Sequence, residues 1–160
     1  MEIRDRVVVV TGAASGIGEA LVERFAADGA RAVVVADRDA QGVAEVAGRM
    51  GGIPVVCDVT DEAAVKDLIE STVAAHGAID LVVSNAGYVT VGGLEAPDDE
   101  LRRMFDVHVM AHLYAARHAI PHMAAVGSGY LLNTSSAAGL LTQIGSLHYS
   151  VTKNAAVSLA

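Results

Sequence analysis

Val7-Val8-Val9-Val10-Thr11-Gly12-Ala13-Ala14-Ser15-Gly16-Ile17-Gly18 is the stretch that decides how this chain folds. Four consecutive valines are too few for a helix and suit a β-strand buried on both faces. The segment after the glycines has a helical period, with Ile17, Leu21 and Phe25 expected on its buried face and Gly29 expected to close it. A strand that feeds a glycine turn and then a helix N-terminus can bind phosphate. Backbone N–H groups point outward, the helix dipole favours an anion, and glycine lets a ligand approach closely. The spacing is G-x-x-x-G-x-G, not G-x-G-x-x-G, and no lysine follows as in a P-loop. Close packing is the competing reason for some of these glycines.

Outward from this stretch, valine-rich runs alternate with helical patterns. Ala32–Ala36, Ile53–Cys57, Ile79–Ser84 and Tyr130–Thr134 read as further strands. Val43, Val46, Ala47 and Met50 form one helical stripe, ended by Gly51-Gly52. Thr60 is expected to cap a helix that buries Val65, Leu68, Ile69 and Val73 and stops at His76-Gly77. Pro97-Asp98-Asp99-Glu100 opens a long fourth helix running past Phe105 and Tyr114 towards Met123, with Pro121 expected to kink or end it. A fifth helix is expected to begin near Leu147. Regular β-α alternation predicts an α/β fold, a doubly wound parallel sheet with helices on both faces.

The chain's 160 residues suit one domain, and 52% hydrophobic against 19% charged residues excludes a disordered chain. A net charge of −8 with no basic cluster argues against nucleic acid and anionic membranes as partners. No apolar run approaches the ~20 residues that span a bilayer, and the N-terminus lacks the shape of a signal peptide. The single Cys57 is expected to be a buried thiol of a cytoplasmic protein. A small molecule is the expected partner.

Asp37 follows the second strand, 25 residues after Gly12. An acid there can accept hydrogen bonds from an adenosine ribose and would repel a 2′-phosphate. The adjacent Arg38 is suited to pair with that phosphate, but Ser15 adds no positive charge, so NAD is expected in preference to NADP. Asp37 as a plain turn residue stays open. Near the end, Tyr149 and Lys153 stand four residues apart, one turn of a helix. A lysine ammonium near a phenol lowers its pKa from about 10, which suits proton exchange with a carbonyl or alcohol oxygen. An exposed amphipathic helix would carry the same two residues.

Thr11-Gly12-x-x-x-Gly16-x-Gly18, Asp58-Val59, Ser84-Asn85-Ala86-Gly87, Ser136 and Tyr149-x-x-x-Lys153 together resemble the short-chain dehydrogenase/reductase family. The resemblance runs from the first strand to the last residue and implies one NAD(P)-binding Rossmann domain over 1–160, with strand order 3-2-1-4-5. It implies that Tyr149 is the acid/base, that Lys153 tunes it and holds the nicotinamide ribose, and that Ser136 hydrogen-bonds the reacting oxygen. Ser135 fits that place less well. Gly12, Ser15, Gly16, Ile17 and Gly18 with Asp37 and Arg38 would hold the dinucleotide, Asp58 and Val59 its adenine, and Asn85, Ala86 and Gly87 its ribose. Asn85 also has a structural part in the family. The implied reaction interconverts a secondary alcohol and a ketone. Leu140, Leu141, Gln143 and His148 would line the substrate side. Homodimers or homotetramers through the fourth and fifth helices are common in the family.

Two departures stand out. His108 occupies the place where many members carry a proton-relay asparagine, and a neutral imidazole can both donate and accept. A plain helix histidine is the other reading. Family members also continue beyond the Tyr/Lys helix through further strands and a substrate lid, whereas this sequence stops at Ala160. A shortened representative, or a non-catalytic dinucleotide-binding module, is therefore the alternative expectation. A methyltransferase would account for the glycine loop but not for Tyr149 and Lys153. His112, His118 and His122 lack the carboxylate or cysteine neighbours of a metal site.

Overall fold

Strand β1 (Val7–Thr11) lies at the centre of the sheet, and all five of its residues are buried. The computed structural model describes residues 1–160. β2 (Ala32–Asp37) and β3 (Ile53–Val56) extend the sheet on one side of β1, and β4 (Leu81–Ser84) and β5 (Tyr130–Asn133) on the other. Every pairing is parallel, as the alternation predicts, and the order is β3-β2-β1-β4-β5, as the family resemblance implies.

Helices α1 (Gly16–Ala27), α2 (Ala40–Met50) and α3 (Glu62–His76) each follow a strand. The long fourth helix is built of α4 (Asp98–Phe105), a π-helical stretch (Asp106–Met110) and α5 (Ala111–Val126). Helix α6 (Leu147–Leu159) carries Tyr149 and Lys153. Period-two alternation explains the valine run, because both faces are covered. Val8 and Val10 pack with Val33, Val35 and Val83 against Val22 and Phe25 of α1 and Val46 of α2. Val9 packs with Val34 and Val82 against Leu68 and Ile69 of α3 and Ala115 and Ala119 of α5.

Three local expectations are corrected. Helix α1 buries Gly18, Val22 and Phe25, while Ile17 is 63% exposed. The tight packing of Gly18 under the backbone of Gly12 rotates the helix so that Ile17 turns outward. Asp61, not Thr60, caps α3 by accepting from the Ala63 N–H, because the helix starts one residue later than expected, at Glu62. Pro121 neither ends nor interrupts α5, which continues to Val126 and stops at the left-handed Gly127.

On the outer edge, Tyr130, Leu131 and Leu132 of β5 are 51%, 37% and 46% exposed. No helix is long and apolar enough to cross a membrane.

Candidate active site

Beyond the carboxyl ends of β1, β2 and β4 lies a cleft of about 900 Å³. In an open parallel sheet this is where ligands bind, at the point where the strand order reverses. The glycine loop forms one wall. Gly16 has φ of +58°, and a Cβ built there meets nothing within 4 Å, so the chain's own atoms leave space in front of it. Gly18 is the opposite case, since a Cβ there would strike the carbonyl of Gly12 and come within 2.8 Å of Asn85 Nδ2. Ser15 stands at the N-cap of α1 and makes no side-chain cap bond, whereas Asp39 and Asp61 cap α2 and α3. No side chain therefore occupies the N-terminus of α1, which faces the cleft through Ser15, Gly16 and Ile17. Such an end attracts an anion.

Asp37 closes the same wall at the end of β2. Its Oδ2 accepts from the Ala14 N–H at 3.2 Å and its Oδ1 from the Asp39 N–H at 3.1 Å, which holds the carboxylate at the cleft margin. Arg38 also lines the cleft and stands close enough to Asp58 to help hold its carboxyl below the usual range. The main cause of that lowering is the Thr60 backbone N–H, which donates to Asp58 Oδ1. Val59 lies beside it, 8% exposed. Cys57 lines the cleft too, and burial, followed by the neighbouring Asp58, Asp61 and Asp37, pushes its thiol up to about 11. A thiol held protonated at neutral pH is a packing group and not a nucleophile.

Asn85 ties three strands together. Its Nδ2 donates to the carbonyls of Thr11 and Gly12, its Oδ1 accepts from Thr134 Oγ1, and its backbone N–H donates to Thr11 Oγ1. Those bonds set the separation of the glycine loop from the β4 and β5 ends. Ala86 approaches Gly12 so closely that a Cβ on Gly12 would lie 2.6 Å from its Cα. A Cβ on Gly87 would lie 3.7 Å from Lys153 Nζ, so the segment after β4 leads directly to α6.

Tyr149 and Lys153 share one face of α6 and both line the cleft. Lys153 is 3% exposed, its Nζ donates to the Thr134 carbonyl at 3.0 Å, and it lies 5.8 Å from the centre of the Tyr149 ring. Burial lowers its pKa from the usual lysine value. The cleft thus has an anion-attracting glycine loop at one end and a phenol with a buried amine at the other.

Other expected site residues stand differently. Ser135 lines the cleft and Ser136 does not; Ser136 Oγ accepts from the Ala138 N–H and caps a short 3-10 turn (Ala137–Gly139). That use leaves its hydroxyl proton free to donate. Leu140 and Leu141 project into solvent at 76% and 71% exposure, and Gln143 is held by its neighbours Ser146 and Ser150. His148 is buried, away from any lining position. His108 is wholly buried and does not reach the cleft wall. Thr60, Tyr88, Glu100, Arg103 and Thr134 line the cleft without having been expected at the site from the sequence. Thr134 is one residue past β5, whose register sets Ser84 opposite Asn133, so strand pairing was the available signal for it.

A family model described as short chain dehydrogenase matches residues 6–160. The chain belongs to the short-chain dehydrogenase family. Among the curated relatives of this family, the chain is 37% identical to a 1-deoxy-11-beta-hydroxypentalenate dehydrogenase of Streptomyces avermitilis, over 100% of this chain and 62% of that protein. It is 36% identical to (+)-borneol dehydrogenase 1 of Salvia officinalis, over 98% of this chain and 62% of that one. A short chain dehydrogenase/reductase from Burkholderia phymatum, crystallised in complex with NAD, superposes with a TM-score of 0.94 at 32% identity, covering 99% of this chain and 59% of its own. The chain thus spans about three fifths of the length of the short-chain dehydrogenases it matches.

Proposed function

We propose that this chain carries the dinucleotide-binding and acid/base parts of an NAD-dependent oxidoreductase that interconverts a secondary alcohol and a ketone. The observation that carries this reading is the placing of Tyr149 and Lys153 in the same cleft as the uncapped N-terminus of α1. The open space at Gly16 fits a pyrophosphate held by Ser15, Gly16 and Ile17, with Gly12 and Gly18 shaping the turn. Asp37, fixed by two backbone N–H groups, would accept from the adenosine ribose and oppose a 2′-phosphate, which supports NAD over NADP. Arg38, Asp58 and Val59 would flank the adenine, and Asn85, Ala86 and Gly87 the path towards the nicotinamide ribose.

When bound, the nicotinamide would supply the hydride acceptor in alcohol oxidation and the donor in ketone reduction. Tyr149 would take the proton of the alcohol O–H as the carbonyl forms, and return it to the oxygen in the reverse direction. Lys153, held by the Thr134 carbonyl, would place its positive charge beside the phenolate. Ser136, next to the cleft-lining Ser135 and with its hydroxyl proton free, would turn that proton towards the reacting oxygen from the cleft margin. The two dehydrogenases compared above are named for alicyclic alcohols, which supports an apolar alcohol of that class as substrate.

Fluorescence titration with NADH, followed by assay against a panel of alicyclic alcohols, tests this reading. Tight NADH binding with turnover that is lost in Tyr149→Phe is the expected result, whereas full turnover in that variant overturns it. The second reading is a dinucleotide-binding module without catalysis. The observation in its favour is the exposure of Leu140, Leu141 and Ile144, the last at 96%, on the side where a substrate would stand. Binding without turnover would support it.

A further inference from the structure

We propose that His108 is a positioning residue: a neutral imidazole fixed as its Nδ1–H tautomer, tying the Gly87-Tyr88 segment to α6 through Thr152. The proposal rests on Tyr149 as the acid/base and replaces a titrating relay at His108 with a fixed strut. The Tyr88 backbone N–H lies 3.2 Å from His108 Nε2. A backbone N–H can only donate, so Nε2 must be bare. The ring proton then sits on Nδ1, which lies 2.9 Å from Thr152 Oγ1 and donates to it. Thr152 Oγ1 accepts there, so its own proton goes on to the carbonyl of His148 at 2.9 Å or of Tyr149 at 3.2 Å. Each donor and acceptor in this chain has one consistent direction.

The surroundings enforce it. His108 and Thr152 are both 0% exposed. The His108 ring stands edge-on to Tyr149, with centroids 5.6 Å apart, and is tilted against Tyr88 at 5.8 Å. A second ring proton would set a donor against the Tyr88 N–H. It would also add charge near Lys153 of α6 and His112 of α5, the groups that, after burial itself, hold the imidazole down to about 4. Tyr88 and Tyr149 are the only other titratable side chains stacked on the ring. A group so held does not exchange protons with solvent at neutral pH. It instead fixes how far the carbonyls of His148 and Tyr149, and hence the phenol, stand from the segment that passes Lys153.

Long-range proton–nitrogen NMR of the labelled chain tests the tautomer directly, with His108 assigned by its disappearance in His108→Asn. The expected spectrum shows a protonated Nδ1, a bare Nε2 and no titration between about pH 5 and 8. An Nε2–H tautomer, or titration in that range, overturns the proposal. The functional arm compares Thr152→Ser, which keeps an acceptor for Nδ1–H, with Thr152→Val, which removes it. A fall in kcat of about tenfold in the valine variant alone, with the KM for the dinucleotide unchanged, is expected. Equal kcat in both variants overturns the positioning role. The spectrum requires no turnover, so a chain that proves inactive sinks the oxidoreductase reading while the tautomer is still decided.

Discussion

Gly16 and Gly18 lie two residues apart in the same turn, yet they are glycine for different reasons. At Gly16 the backbone is left-handed and the space beyond is empty of protein. At Gly18 the obstacle is the Gly12 carbonyl itself, which cannot move without breaking the link from Asn85 Nδ2 to that oxygen. Gly16→Ala should therefore cost only the strain of a side chain at positive φ, about 1–2 kcal/mol. It should weaken NADH binding at least about tenfold, because the new methyl points into the space assigned to the pyrophosphate. Gly18→Ala should cost more stability, about 2–4 kcal/mol, because backbone must shift. Urea unfolding and NADH titration on both variants separate the two effects. Unchanged NADH affinity in Gly16→Ala would remove the pyrophosphate from that place. Residues of this kind were legible in the sequence because a glycine, Asp37, or a Tyr and Lys four apart declare their chemistry by type and spacing. Thr152 and Tyr88 were not, since a threonine that accepts from a buried imidazole has the same letter as one that only packs.

Elements were legible where one property dominates and displaced where two compete. The valine runs of β1, β2 and β4 have no second reading, and all three strands appear. In α1 the apolar spacing set Ile17, Leu21 and Phe25 on the core face, but glycine packing overrides side-chain periodicity and buries Val22 with Phe25. The cap of α3 moved from Thr60 to Asp61 because the helix starts at Glu62, and two neighbouring residues that can both cap leave the start undecided in the sequence. Helix α5 tests the balance between local propensity and packing. Pro121 is exposed within it, while Ala119 and Met123 on either side are buried in the core, so packing carries the helix through the proline. A helix-interior proline costs about 3 kcal/mol, of which the stiffer unfolded chain returns up to about 1. Pro121→Ala should accordingly stabilise the protein by about 2–3 kcal/mol, read as a higher urea midpoint with unchanged slope. A midpoint that stays put would mean that the π-helical stretch before α5 or the exposed face already absorbs the strain.

The whole molecule buries His108 and His112 in its long fourth helix and Lys153 in α6, and that choice makes stability depend on pH. His108 is 0% and His112 3% exposed, and burial first, then Lys153, pushes each down to about 4. His112 is the more costly of the two, because neither ring nitrogen has a partner. Between about pH 6.5 and 4 the unfolded chain binds a proton at each histidine and the folded chain does not, so stability falls as pH falls through that window and levels off below it. Each histidine should remove up to about 2 kcal/mol between pH 6.5 and about pH 5. The lowered carboxylates Asp58 and Glu62 act in a separate, more acidic window, losing their contribution only as they protonate. Lys153 acts at the alkaline end, where its burial makes stability rise with pH until the unfolded lysine too has lost its proton. Urea midpoints at a series of pH values check the acid limb, and His112→Leu identifies its source. The variant should lose about half of the fall between pH 6.5 and 5, and at pH 7 it should be as stable as the parent, since it exchanges an unpartnered polar ring for an apolar chain. A flat profile in the parent over that window would show that the two rings accept protons without unfolding the chain, and that their surroundings are wetter than the packing implies.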